Sequence, residues 1–268
     1  MKTLITVVVL ALVAVGIWYV TQGPTTQTGP IKIGFIGPLT GDASSIGTVN
    51  RAAVELAAEE VNQAGGINGR PLEVIYEDGQ CNAKAATNAA NKLINIDRVS
   101  VIFGGLCSSE TSAFGPMAME NKVIIISSAS SAPSLSKLGK YFFRSYPSDA
   151  FQGKFGAEYA YNALGARKVA IVYHISEWGS GIKEVFEKRF KELGGQVLTV
   201  EGAPPEARDY RTVLSKVKAL QPDLIYFPAY PEGSTAAVKQ AQDLVIKTKM
   251  LGADAWDTPQ LHKDVSGR

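Results

Sequence analysis

From residue 31 onward, short apolar runs alternate with segments of helical period, and this alternation constrains the fold more than any other feature of the chain. "IKIGFIG", "LEVIYE", "VSVIFGG" and "VIIISS" are short and apolar on both faces. Strands of that kind, separated by helices, make a parallel sheet covered on both sides, so the fold class is α/β. The helix after the first run carries Val54, Ala57, Ala58 and Val61 at i, i+3, i+4, i+7 spacing. The punctuation "GGINGRP" ends it. Further helices are predicted through "KAATNAANKLINID" and "ETSAFGPMAMEN".

A second series follows "YFFRSYPSD". A helix over about 149–164 leads to "KVAIVYH", and the next helix places Ile182, Val185, Phe186, Phe190 and Leu193 along one face. "GGQVLTVE", a helix near 209–220, "DLIYFPAY", a helix through "GSTAAVKQAQDLVI" and "KMLGADA" complete it. The break at 144–149 is the expected crossing between two lobes. The division is then 1–30 for a leader, 31–147 for the N-terminal lobe and 148–268 for the second lobe.

The leader differs from the rest. Lys2 precedes an apolar run from Leu4 to Val20, and "TQGPTTQTGP" reads as a linker. A positive start followed by an apolar run is an export signal. No small-x-small cleavage site is evident, and Trp18 and Tyr19 suit a membrane interface. Three readings stand: an uncleaved membrane anchor, a cleaved signal peptide, and a buried N-terminal helix. The first two put the globular part outside the cytoplasm, in the periplasm or at the cell surface.

Export bears on the cysteines. In an oxidising compartment a lone pair of cysteines favours a disulfide over a redox or metal pair. Cys81 and Cys107 each follow a predicted strand, and neighbouring parallel strands bring such ends together. Two unpaired structural thiols and a catalytic thiol are the competing readings. With two cysteines and two histidines there is little material for a zinc site. A net charge of +2 with no basic tract gives no footing for nucleic acid. "GFIGPLTG" is not the dinucleotide fingerprint, and neither a Walker lysine motif nor a GxSxG elbow occurs, so neither a cofactor nor an enzyme is expected. His174 reads as structural or exposed, His262 as incidental, and Glu77 and Asp78 as isolated carboxylates.

Ligands of open α/β sheets sit beyond the carboxyl ends of the strands. The loops there are "GPLTGDASSIG", "GGLCSSET", "SSASSAP" and "GADAWD". Helix N-termini behind them favour an anion, and Ser108, Ser109, Ser130 and Ser131 supply hydroxyls. Each serine alone also reads as a cap or turn former. Two serine-rich loops on adjacent strands point to binding.

From residue 31 to about 260 the sequence resembles the periplasmic binding proteins of the branched-chain amino acid ABC transporter family. The resemblance is carried by "IKIGFIGPLTGDASSIG", "AAEEVNQAGGINGRPLEVIYEDGQC", "GGLCSSET" and "DLIYFPAYPEG". It implies the type I fold: two Rossmann-like lobes with parallel sheets around a ligand cleft. It also implies a Cys81–Cys107 disulfide, a ligand carboxylate at Ser108 with contacts from Ser130 and Ser131, an ammonium at Asp254, and aromatic contacts from Trp178 and Tyr230. Asp254 otherwise reads as a loop acid and Trp178 as a core aromatic. Ile46 stands where the family usually carries an aromatic. The family continues beyond the equivalent of Arg268, so the chain is expected to be a fragment lacking the return segment of its N-terminal lobe. The function implied is delivery of an amino acid or similar zwitterion to an ABC permease, without catalysis. A ligand-sensing receptor domain of the same fold, or an amide or organic-acid sensor, is the alternative.

Overall fold

The computed structural model describes residues 29–265. The signal-or-anchor segment, with the membrane contact expected of it, lies outside these. Among the described residues no helix is long and apolar enough to cross a membrane.

Two parallel sheets organise the chain. The N-terminal sheet holds β1 (Ile31–Gly37), β2 (Leu72–Asp78), β3 (Val101–Gly104), β4 (Ile124–Ser127) and β5 (Phe142–Arg144) in the order β2-β1-β3-β4-β5. The second holds β6 (Lys168–His174), β7 (Gln196–Ala203), β8 (Leu224–Tyr226) and β9 (Lys249–Leu251) in the order β7-β6-β8-β9. Every pairing between these strands is parallel. The helices are α1 (Ser44–Gln63), α2 (Ala83–Asn91), α3 (Ser108–Glu120), α4 (Asp149–Glu158), α5 (Glu177–Glu192), α6 (Arg211–Ala219), α7 (Pro231–Asp243) and α8 (Pro259–Val265). Single π-helical turns, Lys92–Ile96 and Tyr159–Ala163, extend α2 and α4.

The sequence periodicity accounts for most of this packing. On α5, Ile182, Phe186 and Phe190 are fully buried, and Phe186 stacks on Tyr226 with centroids 3.8 Å apart. Each such buried phenylalanine stabilises by roughly 1.5–3 kcal/mol. The face expected on α1 is weaker: Val54, Ala58 and Val61 are half-buried and Ala57 is exposed. A strand that the sequence did not announce, Phe142–Arg144, runs up to the expected interlobe break at 144–149. Phe142–Arg144 pairs with β4 in the register Ile125↔Phe142. Three residues next to a proline turn carry too little alternation to register as a strand. The chain then crosses between the sheets through residues 145–148 into α4.

Strand order sets where a ligand can sit. Both sheets reverse direction of winding once, between β1 and β3 in the first and between β6 and β8 in the second. At such a switch point the loops leave on opposite faces and open a crevice at the carboxyl ends. Gly104 makes the first crevice tight: at φ +126 an added Cβ would lie 2.0 Å from the Ile36 carbonyl oxygen. Gly47 seats the start of α1 against the same crevice, its hypothetical Cβ 1.9 Å from Pro38 O. Larger side chains would pry both loops away.

Candidate ligand-binding cleft

The two switch points face each other across one cavity of about 240 Å³. The first sheet's loops contribute Ile46, Asn50, Leu106, Cys107, Ser108, Ser128, Ala129 and Ser131. The second contributes Trp178 after β6, Tyr230 after β8, and Asp254, Ala255, Asp257 and Thr258 after β9. Tyr146 reaches it from the crossing segment. A small apolar cluster of Ala43, Cys107, Trp178, Ile182 and Tyr230 joins the lobes there, with Ile46 and Cys81 packed against it. The lobes also touch at the rims, through Asp42 with Arg208, Ser45 with Glu232 and Ser134 with Glu177.

On the first lobe, Cys81 and Cys107 are joined by a disulfide, with Cα atoms 5.2 Å apart. The bond ties the end of β2 to the turn before α3. Glu110, wholly buried, sits behind that turn. Its Oε1 accepts from Cys81 N–H (3.0 Å) and its Oε2 from Leu106 N–H (2.9 Å) and Cys107 N–H (3.0 Å). Burial pushes this carboxyl up to about 7 against the pull of those three donors. Helix α3 starts at Ser108, so its first-turn N–H groups lie at the cavity and favour an anion. Ser108 Oγ accepts from Ser131 N–H (3.2 Å) and Ala132 N–H (3.1 Å), which keeps its hydroxyl proton available for the cavity.

The expected serines therefore divide. Ser108 and Ser131 line the cavity. Ser109 Oγ donates to Cys81 O (2.8 Å), beside the disulfide. Ser130 is fully buried, its hydroxyl spent on Gly105 O and Thr111 Oγ1 at 2.7 Å each. Sequence position distinguishes none of these four.

On the second lobe, Trp178 and Tyr230 form an aromatic wall, 4% and 5% exposed. Burial pushes the Tyr230 phenol up, against the pull of the neighbouring Ser176 side chain. His174, at the end of β6, accepts from Tyr230 N–H through Nδ1 (3.1 Å). Its proton is accordingly on Nε2, donated to Tyr210 Oη (2.9 Å). Burial, with Arg208 adding, lowers His174 to about 4, so it stands neutral as a structural link. His262 is exposed and sits beside Asp257, while Glu77 pairs with Lys92 and Asp78 caps the Leu39 N–H.

Asp254 opens a 3₁₀ turn, Asp254–Trp256, after β9. Gln152 of α4 holds it. In the amide orientation that satisfies its neighbours, Gln152 Nε2 donates to Asp254 Oδ1 (3.2 Å) and Asp149 Oδ1 (3.0 Å), and Oε1 accepts from Asp254 N–H (3.0 Å). Burial raises Asp149 to about 7, with the charge of Asp254 adding. Burial and then Asp254 also push the Tyr146 phenol up. Asp149, Gln152, Tyr146, Asn50 and Ser128 escaped the sequence reading. The i, i+3 placement of Asp149 and Gln152 on one helix face was the available signal. Among the described residues, no lysine, arginine or histidine lines the cavity.

Residues 30–264 match the family model described as "Periplasmic binding protein". A leucine-, isoleucine-, valine-, threonine- and alanine-binding protein of Pseudomonas aeruginosa is 29% identical over 84% of this chain and 60% of its own length. The crystal structure of a leucine binding protein from Thermotoga maritima superposes with a TM-score of 0.82 at 30% identity, over 88% of this chain and 67% of that one. A branched-chain amino acid transporter substrate binding protein from Streptococcus pneumoniae, in complex with isoleucine, gives 0.80 at 28% identity, over 88% and 68%. The chain spans about 60% of the length of the curated relatives it matches.

Proposed function

Because the chain belongs to the periplasmic binding protein family, we propose that it is an extracytoplasmic solute-binding protein that hands an amino acid or similar small zwitterion to an ABC importer permease. The carrying observation is the polarity of the cleft. Ser108, Ser131 and the N-terminus of α3 stand on one lobe, Asp254 on the other, within one cavity of about 240 Å³. A ligand carboxylate suits the first set and an ammonium suits the second. Charge-assisted hydrogen bonds of this kind contribute roughly 1.5–3 kcal/mol each. A zwitterion spanning both gains its full contacts only when the lobes close, which couples binding to hinge closure. The Trp178–Tyr230 wall, with Ile46 and Leu106, gives the ligand side chain an apolar surface. The reading involves no chemistry on the ligand and no cofactor, and the amino acids named for the relatives of 28–30% identity support it.

A thermal-shift screen of the full chain against amino acids, amides and small organic acids tests this. Concentration-dependent stabilisation by amino acids is the expected result. Stabilisation confined to acids without an amine would overturn it.

A further inference from the structure

Asn50 and Ser128 are polar side chains of the cleft that belong neither to the carboxylate end nor to the ammonium end. Asn50, one turn beyond Ile46 on α1, and Ser128, just past β4, both line the cavity. Ser128 Oγ donates to Asn50 Oδ1 (2.7 Å), and Asn50 Nδ2 donates to Ile46 O (3.0 Å). Neither performs the local capping that usually explains such residues. The turn after β4 is capped by Ser127 instead, whose Oγ accepts from Ser130 N–H (2.9 Å).

The pair keeps unused hydrogen-bonding capacity. Ser128 Oγ has spent its proton and keeps its acceptor capacity. Asn50 Nδ2 has spent one N–H and keeps the other. An acceptor and a donor therefore stand side by side in a cavity whose apolar lining includes Ile46, Leu106, Trp178 and Ala255, with Tyr146 and Thr258 as further hydroxyls. A neutral hydroxyl or carboxamide can use both at once. A side-chain carboxylate would share the cavity with Asp254 and Asp257 and meet no lining cation among the described residues.

Resting on the amino-acid reading of the cleft, we propose that Asn50 and Ser128 form a side-chain-reading subsite selecting neutral hydroxyl- or carboxamide-bearing amino acids over their apolar isosteres. The two residues already satisfy each other, so an apolar ligand strands little. Discrimination of roughly tenfold follows, rather than the far larger ratios of sites that leave a buried polar group unpaired.

The test is calorimetric titration of the full chain with two near-isosteric pairs, L-threonine against L-valine and L-asparagine against L-leucine. In the native protein, threonine and asparagine should each bind about tenfold more tightly than the partner. In Ser128→Ala and Asn50→Leu, with folding checked by circular dichroism, both ratios should fall toward one or invert. Tighter binding of valine and leucine by the native chain overturns the subsite and leaves the amino-acid reading intact. Ratios that persist in a folded variant also overturn it. Should Asn50→Leu fail to fold, Ser128→Ala decides. If none of the four amino acids binds, the amino-acid reading falls and the subsite falls with it.

Discussion

The indole of Trp178 lies on the phenol ring of Tyr230, their centroids 5.0 Å apart and their planes 19° from parallel. Trp178 stands in the first turn of α5, after β6, and Tyr230 immediately precedes α7, after β8, so this contact is made by the switch point of the second sheet. It presents a rigid apolar face to the first lobe. Stacked pairs of this kind contribute about 0.5–1.5 kcal/mol beyond their area.

A ligand entering the cleft must therefore change the surroundings of Trp178. Tryptophan emission should shift on titration with a bound amino acid, and the shift should vanish in Trp178→Phe, although Trp18 and Trp256 remain. An unchanged response in Trp178→Phe would place the ligand elsewhere.

The two ends of the cleft predict different losses. Asp254→Asn should weaken an amino acid by about ten- to a hundredfold and its des-amino analogue far less, since only the amino acid carries the ammonium. Ser108→Ala should weaken both, because both keep the carboxylate. Titration of the four combinations reads this directly. Losses below threefold throughout would leave the family and fold standing and remove the clamp.

Glu110 should be intolerant of even an isosteric change. Both of its oxygens accept from backbone N–H groups, and an amide nitrogen cannot. Glu110→Gln leaves a buried donor facing a donor, at a cost of about 1–3 kcal/mol. Loss of the neighbouring Cys81–Cys107 bond, which closes a span of 26 residues, costs roughly 3–4 kcal/mol on the chain-entropy account. Urea unfolding of Glu110→Gln and of Cys81→Ser/Cys107→Ser measures both. A neutral Glu110→Gln would contradict the capping role.

Asp149 makes a pH-dependent contribution of definite sign. Its folded pKa is raised from 3.8 to about 7, so the folded state holds the proton more tightly than the unfolded chain. That stability is complete below about pH 4 and is lost as pH rises toward 7. Asp149→Asn mimics the protonated acid, so its Tm should gain on that of the native chain between pH 4 and 7. His174, lowered to about 4, acts in the opposite direction but is present in both proteins and cancels from the difference. A Tm difference moving the other way over this range would show that Asp149 is held below its usual value.

Much of the cleft was legible as loops but not as side chains. "GGLCSSET" and "SSASSAP" follow strands, which marks them as cleft loops, yet the orientation of each serine depends on what it meets across the sheet. Ser130 turns inward because Gly105 O and Thr111 await it. Ser109 turns outward because Cys81 O lies beside the disulfide. Asn50 gave no signal, because on an isolated helix it is indistinguishable from a solvated residue.

The sequence by itself determined the α/β class, the parallel pairing and the loops that would gather at the strand ends. Those depend on local period and on burial of both strand faces, and both are written in neighbouring residues. Only the tertiary structure decided which strands adjoin, and hence where the two switch points lie. It alone brought Asp149 and Gln152 of α4 up to Asp254 from about a hundred residues away and set Ser128 against Asn50. Such contacts join residues far apart in sequence within one lobe, and no window along the chain contains them.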